Sequence, residues 1–458
     1  METLSILKGH SWYGDFVLVG PNTVSISDPD AIPIVYPGLF YRAFMPWTKD
    51  GFFPAIFTTQ NDDLHKRLKS PIANLYSLSN VITLETAVDG AMTVLFGELD
   101  RRFVASSRVF DLCDWLQYLA FEVMGTMTFS SRYGFMESGG DVDGMIDAIW
   151  QFMLIVGPND LMLWLRPDHG SPILKVTHQK IADRLKDTTT DGGTDKRSPK
   201  RESDLLDRFL EIKAQHPEAP AFAVPAWTFS NVIAGSDSTA VAMKTAMYHL
   251  LTHPGSLQKL YAELSEAERQ NRMSRPHPLW EEVQSLPYLD ACVQEALRLH
   301  PPFCLPLERV VPDGGMTIKG RFLPPGTCVG VHPYVVNRHG PTFGADADMW
   351  RPERWLGLSE DHRRRLENAI MTFGAGRRVC FGKHIALLEV KKIIPALLLN
   401  YEVSENTQGA HQPTRNTTNC QRQWDLVDPP SYKTVNSYFF TQHGLNVRIR
   451  KRSVYASD

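Results

Sequence analysis

The chain has 458 residues, of which 43% are hydrophobic and 22% charged, and its formal net charge is -3 at pH 7. This composition allows a large buried core, excludes general disorder and lacks the basic excess of nucleic-acid-binding domains. Six scattered cysteines form no CxxC pair, so we predict no disulfide framework and a reducing surrounding.

The N-terminal part is predicted to form a small antiparallel sheet followed by a loop. Residues 1–15 contain no apolar run long enough to cross a bilayer and no signal-peptide core. Residues 16–37 alternate apolar and polar side chains around turn-forming prolines, which predicts short strands. The next stretch, Tyr36 to Phe57, is rich in aromatic residues, Gly and Pro without a period. It is typical of a long irregular loop.

Helices are predicted to dominate the following 150 residues. One opens near Leu64, and it places His65 and Lys69 on the same face because they are four residues apart. These two side chains could act together on a ligand, or they could belong to an ordinary basic helix face that is exposed to solvent. Repeated amphipathic patterns over residues 84–155 predict several packed helices. The Thr- and Lys-rich stretch 187–203 is predicted to be a mobile surface loop inside one domain.

One long helix is predicted from Pro225 to Leu251. A proline stands at its start and Pro-Gly follows its end. Most of its faces are apolar, which indicates burial. Gly235 costs about 1 kcal/mol inside a helix, and four polar residues, Ser236–Thr239, follow it. We therefore predict a groove over a ligand at this point, although Asp237 could instead pair with a neighbouring side chain.

A second helical pattern carries Glu295 and Arg298, which can pair at a spacing of three. Pro301 and Pro302 end this helix. Taken alone, the pair is typical of a surface ion pair that contributes less than about 1 kcal/mol. Residues Thr317–Val331 alternate around Pro-Pro-Gly and predict a hairpin.

The stretch Phe373–Gly382 carries the strongest chemical signal. Cys380 precedes an apolar, helix-forming run, so it lies near a helix N-terminus, where free N–H groups and the helix dipole favour an anion. We expect its thiol to ionise easily. Gly376 and Gly382 are expected to adopt positive φ. The guanidinium of Arg378 offers two N–H donors that can bind a carboxylate together. A sulfur anion beside such an arginine suits haem; a structural cysteine in a glycine turn is the alternative.

Two features follow this loop. Pro395 is expected to kink or stop the helix after Cys380. Residues 405–419 are polar and rich in Gly, Pro, Thr and Asn, which indicates an exposed insertion.

Four motifs, in the same order as in that family, resemble those of the cytochromes P450. They are His65-x-x-x-Lys69 as a propionate pair, Ala234–Thr239 as the oxygen-activation motif, Glu295-x-x-Arg298 with Arg354, and Phe-x-x-Gly-x-Arg-x-Cys-x-Gly at Phe373–Gly382. The resemblance covers about Trp12 to Arg450. Over this range the sequence is most similar to filamentous-fungal P450s of the pisatin-demethylase-like kind.

The resemblance implies a fold and a cofactor. The fold would be that of a single cytochrome P450 domain over residues 1–458, mainly α with smaller β-sheets (α+β). The cofactor would be haem b with the Cys380 thiolate as the axial iron ligand. Further haem contacts would come from His65, Lys69, Arg309, Phe373 and Arg378.

The same resemblance assigns catalytic, pocket and structural residues. Asp237 would be the acid of a proton-delivery path, and Ser238 would take the place of the usual threonine. Because serine lacks the methyl group that restricts the rotamer, some uncoupling to peroxide is expected. The remaining assignments are substrate contacts at Ile233, Ala234, Phe303 and an aromatic residue of Tyr438–Phe440, and structural roles for Glu295, Arg298 and Arg354.

The resemblance finally implies an activity and its partners. The chain would insert one oxygen atom from O2 into a small hydrophobic substrate in fungal secondary metabolism. Electrons from NADPH would arrive through NADPH-cytochrome P450 reductase, for which Lys383, His384, Lys391 and Lys392 form a docking face or an ordinary solvated one. Family members lie on the cytosolic face of the endoplasmic reticulum membrane. This chain shows no anchor, so it is either a form without one, cytosolic or peripheral, or a shortened chain. The alternatives are a reductase-independent isomerase or dehydratase, a haem-binding sensor, and an inactive haem-binding relative.

Overall fold

The computed structural model describes residues 3–37, 39–40, 47–48, 51–156, 172–190, 203–303, 306–402, 425–437 and 439–452. The helices are α1 Thr3–Tyr13, α2 Ile32–Val35, α3 Asp62–Ile72, α4 Leu78–Ile82, α5 Glu85–Leu99, α6 Leu112–Phe129, α7 Phe135–Ser138, α8 Met145–Val156, α9 Pro172–Thr190, α10 Leu205–Gln215, α11 Ala223–Thr252, α12 Pro254–Arg269, α13 Trp280–Val283, α14 Pro287–Leu299, α15 Pro333–Val336, α16 Gly340–Phe343, α17 Glu360–Asn368 and α18 Lys383–Asn400.

Short strands form small sheets around this helical body. They are β1 Phe16–Gly20, β2 Thr23–Ile26, β3 Leu39–Phe40, β4 Trp47–Thr48, β5 Gly51–Phe52, β6 Phe110–Asp111, β7 Arg309–Val310, β8 Met316–Ile318, β9 Arg321–Leu323, β10 Cys328–Val331, β11 Tyr401–Glu402, β12 Asp425–Leu426, β13 Lys433–Ser437, β14 Phe439–His443, β15 Asn446–Arg448 and β16 Arg450–Lys451. The predicted class, mainly α with smaller β-sheets, is confirmed.

The long helix α11 runs through the middle of the helical body. It begins and ends within two residues of the predicted bounds. Because it is apolar on most sides, it can pack against several partners at once: α6 lies along it, and α10, α14 and α18 also contact it. One large hydrophobic core joins these helices. The site described below is therefore placed on a rigid, well-packed element.

The largest sheet has five strands in the order β1-β2-β10-β7-β3. The predicted antiparallel pair β1 and β2 is confirmed, and β10 joins β2 in parallel. The predicted hairpin around Pro324-Pro325-Gly326 is wrong. The chain turns at Lys319 and Gly320, which both have positive φ, so β8 pairs with β9. The prolines instead lead from β9 into β10 of the other sheet.

Two further predictions are corrected by the helices. The stretch predicted as a loop from residue 187 is helical up to Thr190, the end of α9. Packing of Ile173, Leu174 and Ile181 outweighs the weak helix propensity of threonine. Pro395 does not stop α18, which continues to Asn400. Residues 191–202, the predicted insertion 405–419 and Tyr438 lie outside the described residues.

Within the described ranges, no helix combines the length and the apolar character that crossing a membrane requires.

Candidate functional site

The loop before α18 holds Cys380 by its backbone. The Cys380 N–H donates to the Phe373 carbonyl at 2.7 Å. Gly374 and Gly376 have φ of 68° and 66°, and a Cβ on Gly376 would lie 2.6 Å from the Tyr36 carbonyl oxygen. The prediction of positive φ is therefore confirmed for Gly376 but wrong for Gly382, whose φ is −85°. The tight turn occurs before the cysteine, not after it.

The thiol of Cys380 is accessible to solvent, yet desolvation by the surrounding protein raises its pKa. Both observations fit a sulfur that lines a recessed cleft. The Gly382 N–H, Lys383 and Lys69 act in the opposite direction but do not outweigh burial. The expectation that the thiol ionises easily by itself is therefore wrong. A bound metal cation would supply the missing positive charge, because metals bind the thiolate.

Four of the predicted haem contacts form one basic cluster. Burial, followed by the charges of Arg378 and Lys69, lowers the pKa of His65 to about 4. Burial also lowers the pKa of Arg309 to about 10, and Arg378 again contributes. The pKa of His65 and the pKa of Arg309 are thus each lowered by the charge of another member of the cluster. Like charges gathered in a partly desolvated place favour a ligand with carboxylates.

In this structure the cluster binds the chain itself. Arg378 donates to Asp62 Oδ1 at 2.8 Å and to the Thr59 carbonyl at 2.9 Å. Lys69 donates to the Arg377 carbonyl at 2.8 Å. The Arg309 guanidinium lies 4.7 Å from the centre of the Tyr36 ring. The contacts of Arg378 and Lys69 connect α3 and the residues before it to the cysteine loop.

One short contact path connects the cysteine loop to the middle of α11. The ring of Phe381, the residue after Cys380, lies 4.2 Å from that of Tyr76, and Tyr76 donates to Asn231 Oδ1 at 3.0 Å. One helical turn beyond Asn231, on the same face, Ala234 is exposed in an otherwise largely buried helix. The exposed Ala234 of α11 is therefore linked to the exposed Cys380 by a short path of packed side chains.

Ser238 and Asp237, both in the polar stretch of α11, point to different sides of the helix. Ser238, four residues after Ala234 and so on the same face, donates to the Ala234 carbonyl at 2.6 Å. Asp237 is buried, and its Oδ1 accepts from Gln117 of α6 at 2.5 Å. Burial raises the pKa of Asp237 to about 6, although Lys244 and Gln117 act to lower it. A carboxyl group with this pKa exchanges a proton close to neutral pH.

The groove predicted at Gly235 implied that this glycine faces a ligand. The structure places it against α6 instead. A Cβ on it would lie 2.5 Å from the Met124 sulfur of α6. The glycine therefore permits close packing of α11 on α6, and the accessible surface is provided by Ala234 instead.

Glu295, Arg298 and Arg354 form a buried ionic cluster. Arg298 binds both carboxylate oxygens of Glu295 at 2.8 Å, and Arg354 approaches one of them at 3.4 Å. Trp355 donates to the same carboxylate at 2.9 Å. The alternative of a weak surface pair is wrong, since the side chains of Glu295 and Arg298 are fully buried. The cluster fastens α14 to the segment around Arg354.

The predicted substrate contacts lie in two places. Ile233 packs against the main core beside Ala234. Phe303 is half-buried, and its ring lies 5.7 Å from that of Phe57 and 5.1 Å from that of Phe439. Phe373 also packs against the main core.

Half of the predicted basic docking face is not available. Lys391 pairs with Asp290 at 2.7 Å, and the fully buried Lys392 pairs with Asp89 at 2.7 Å and with Glu85. Only Lys383 is exposed, while His384 is half-buried. The two later lysines instead hold neighbouring helices against α18.

The sequence interpretation missed three residues around the site, Gln117, Asp62 and Lys244. Gln117 and Asp62 were not singled out, although a glutamine inside the apolar run of α6 was a signal of a buried polar contact. Lys244, inside the apolar half of α11, was a similar signal, because isolated polar residues on buried helix faces must find partners.

Comparison with known proteins fits this geometry. The family model for cytochrome P450 matches residues 16–430. Cytochrome P450 monooxygenase AFLA_114810 of Aspergillus flavus is 48% identical over 97% of this chain and 86% of its own length. Cytochrome P450 monooxygenase mpaDE of Penicillium roqueforti is 50% identical over 97% of this chain. The chain spans only 52% of that relative.

Solved structures agree on the fold. A crystal structure of a cytochrome P450 (CYP102L1) aligns with a TM-score of 0.75 at 19% identity, covering 98% of this chain and 94% of the other. The heme domain of cytochrome P450DA aligns with a TM-score of 0.71 at 16% identity. With a family model over most of the chain, close relatives among fungal monooxygenases and a cysteine loop beside a basic cluster, the chain belongs to the cytochrome P450 family of haem-thiolate monooxygenases.

Proposed function

We propose that this chain uses haem b, held by the Cys380 thiolate, to insert one oxygen atom from O2 into a small hydrophobic substrate. The observation that carries the proposal is the exposed Cys380 beside a basic cluster. We take this sulfur and the exposed Ala234 in the middle of α11 to line one cleft. The donor set fits haem, because it offers one thiol for the iron and Lys69, Arg309 and Arg378 for two propionates. His65 and Phe373 would complete the haem contacts.

Bound haem with a thiolate ligand supplies the activation of O2. The protein residues provide position and protons. The Asp237 carboxyl takes up a proton and gives it back near neutral pH, since its pKa is about 6. The hydroxyl of Ser238 lies on the cleft face and can donate a hydrogen bond there when it leaves the Ala234 carbonyl. Serine keeps this donor but has more rotamer freedom than threonine.

The substrate is held by apolar contacts in this proposal. Ile233 and Ala234 provide an aliphatic wall on α11, and Phe303 contributes an aromatic ring. Such surfaces bind a small hydrophobic molecule largely through burial of its apolar area. Because the relatives reported above are fungal monooxygenases, we place the reaction in secondary metabolism. The likeness to pisatin-demethylase-like enzymes remains a prediction.

Electron supply completes the proposal. NADPH-cytochrome P450 reductase would deliver electrons at the cytosolic face of the endoplasmic reticulum. The exposed Lys383 and Arg377 flank Cys380, so they offer charge to an acidic partner. Docking would weaken as the salt concentration rises, because exposed charges are screened.

A carbon-monoxide difference spectrum of the reduced protein tests the iron ligand. The wild type should show the Soret band of a haem-thiolate complex, and Cys380→Ala should lose it. Cys292→Ala is the matched control, since Cys292 is a buried cysteine of α14 and should keep the band. A thiolate band that survives in Cys380→Ala would contradict the assignment.

Labelled oxygen then tests the reaction class. With reductase, NADPH and 18O2, a converted substrate should gain one labelled atom per turnover. A product that forms without NADPH and contains no label would favour a reductase-independent isomerase or dehydratase. Haem-loaded protein that is not reduced by the reductase would indicate an inactive relative or a sensor.

A further inference from the structure

A buried chain of three side chains crosses from α6 to α11 behind the cleft. Gln117 donates from Nε2 to Asp237 Oδ1 at 2.5 Å. At its other end, Gln117 Oε1 accepts from Lys244 Nζ at 2.7 Å. Relative exposures are 5% for Gln117, 8% for Asp237 and 2% for Lys244. The three groups are thus held away from bulk water and depend on one another for partners.

The arrangement fixes the orientation of the Gln117 amide. If the amide were flipped, its NH2 group would face the Lys244 nitrogen, donor against donor. Its oxygen would then face the Asp237 carboxylate, acceptor against acceptor. Lys244 therefore determines which end of Gln117 points at the acid. The carbonyl of Gln442 lies 3.5 Å from Lys244 Nζ and limits where that nitrogen can move.

The two oxygens of Asp237 differ as a result. Oδ1 is occupied by Gln117, whereas Oδ2 is buried and has no hydrogen-bond partner in the part of the chain that the structure describes. A side-chain amide is a poor proton carrier, because it must keep both N–H hydrogens to remain an amide. A proton that Asp237 binds is therefore expected on Oδ2, and it leaves from the same atom.

We propose that Gln117 and Lys244 are positioning residues for Asp237, which hold Oδ1 against α6 and reserve Oδ2 for the proton delivered to the cleft. The proposal rests on the proposed function, in which Asp237 is the acid of the oxygen reaction. It adds that the acid is positioned by Gln117 of the neighbouring helix α6 and, through Gln117, by Lys244 of α11 itself. Two charged side chains act on Asp237: Lys244 lowers its pKa and Asp141 raises it.

The first test measures Asp237 without turnover. The carboxyl C=O stretch of Asp237 is identified by infrared difference spectroscopy against Asp237→Asn and is titrated in haem-loaded protein. Gln117→Leu and Lys244→Met should each raise the titration midpoint by about 1 pH unit, since each removes a group that favours the carboxylate.

Thr128→Val is the matched control for this titration. It removes the acceptor of a different buried hydrogen bond between α6 and α11, the 2.7 Å bond from Asn231 to Thr128. It should leave the Asp237 midpoint unchanged. An equal shift in Thr128→Val would show that any loosening of the two helices has this effect, and the proposal would be wrong.

The second test measures coupling with reductase, NADPH and a converted substrate. Both variants should lower the ratio of product to hydrogen peroxide by about ten- to hundred-fold, the cost of a misplaced catalytic group, with NADPH oxidation continuing. Unchanged midpoints and coupling in both variants would overturn the proposal. If Gln117→Leu does not retain haem, Lys244→Met alone decides, because it leaves Gln117 in place.

The two proposals can fail separately. If the midpoints shift as expected but the wild type forms no oxygenated product, the positioning role stands and the proposed function fails. If oxygenation is coupled equally well in all variants and the midpoints do not move, the proposed function stands and Gln117 and Lys244 only support packing.

Discussion

Glu389 lies in the middle of α18 and is 1% exposed. Neither of its carboxyl oxygens has a hydrogen-bond partner among the residues that the structure describes. Burial raises its pKa well above the usual value, so the folded protein holds this group protonated and neutral. The unfolded chain releases the same proton once the pH exceeds the ordinary carboxyl range, near 4.5.

This difference makes stability depend on pH with a defined sign. Above the unfolded pKa the folded state binds one more proton than the unfolded state, so a rising pH favours unfolding. The free energy of unfolding should fall by about 1.4 kcal/mol per pH unit from this group. The fall continues until the pH passes the raised folded pKa.

Glu389→Gln isolates the effect because its side chain has nearly the same shape and does not titrate. Urea unfolding of haem-loaded wild type and variant at pH 5, 6 and 7 gives the difference in unfolding free energy, in which all shared titrations cancel. The variant should gain on the wild type with every step in pH. A difference that is constant over this range would refute the reasoning, since it would mean that Glu389 has an ordinary pKa in the folded protein.

Three further predictions concern stability and haem retention. Glu295→Gln should lower the free energy of unfolding by about 3–5 kcal/mol in urea titrations, because it leaves the fully buried Arg298 without its carboxylate partner; a loss below about 1 kcal/mol would mean that the cluster is solvated. Gly376→Ala should lower the free energy of unfolding by about 1–3 kcal/mol, because Gly376 has a positive φ and lies close to the Tyr36 carbonyl. Gly382→Ala is the control. Since Gly382 has a negative φ and open space around it, this change should alter stability by less than about 0.5 kcal/mol. Arg378→Gln should speed haem transfer to apomyoglobin about ten-fold, because it removes one charge-assisted pair with a propionate. Arg377→Gln should leave the transfer rate unchanged, since the Arg377 side chain is 72% exposed. Equal rates in the two variants would mean that the propionates lie elsewhere.

Local pattern was enough for much of the fold and for the identity of the site residues. The bounds of α11 followed from its apolar length and its flanking prolines. The loop around Cys380 was found because its glycines, Arg378 and the following helix are adjacent in sequence. Backbone turns and helix periods depend on near neighbours, so a sequence reveals them directly.

Tertiary structure decided the electrostatics of the same residues. The pKa of Cys380 is raised because desolvation depends on how much protein surrounds the sulfur, which no local pattern records. Gln117 meets Asp237 across 120 positions of sequence, and Lys392 is buried between acids of α5 rather than exposed on α18. Local pattern thus identifies the chemical groups and the helices or loops that carry them. Only the packing of distant helices decided which charges face each other and which are removed from water, because the energy of a charge depends on distance and surroundings in three dimensions.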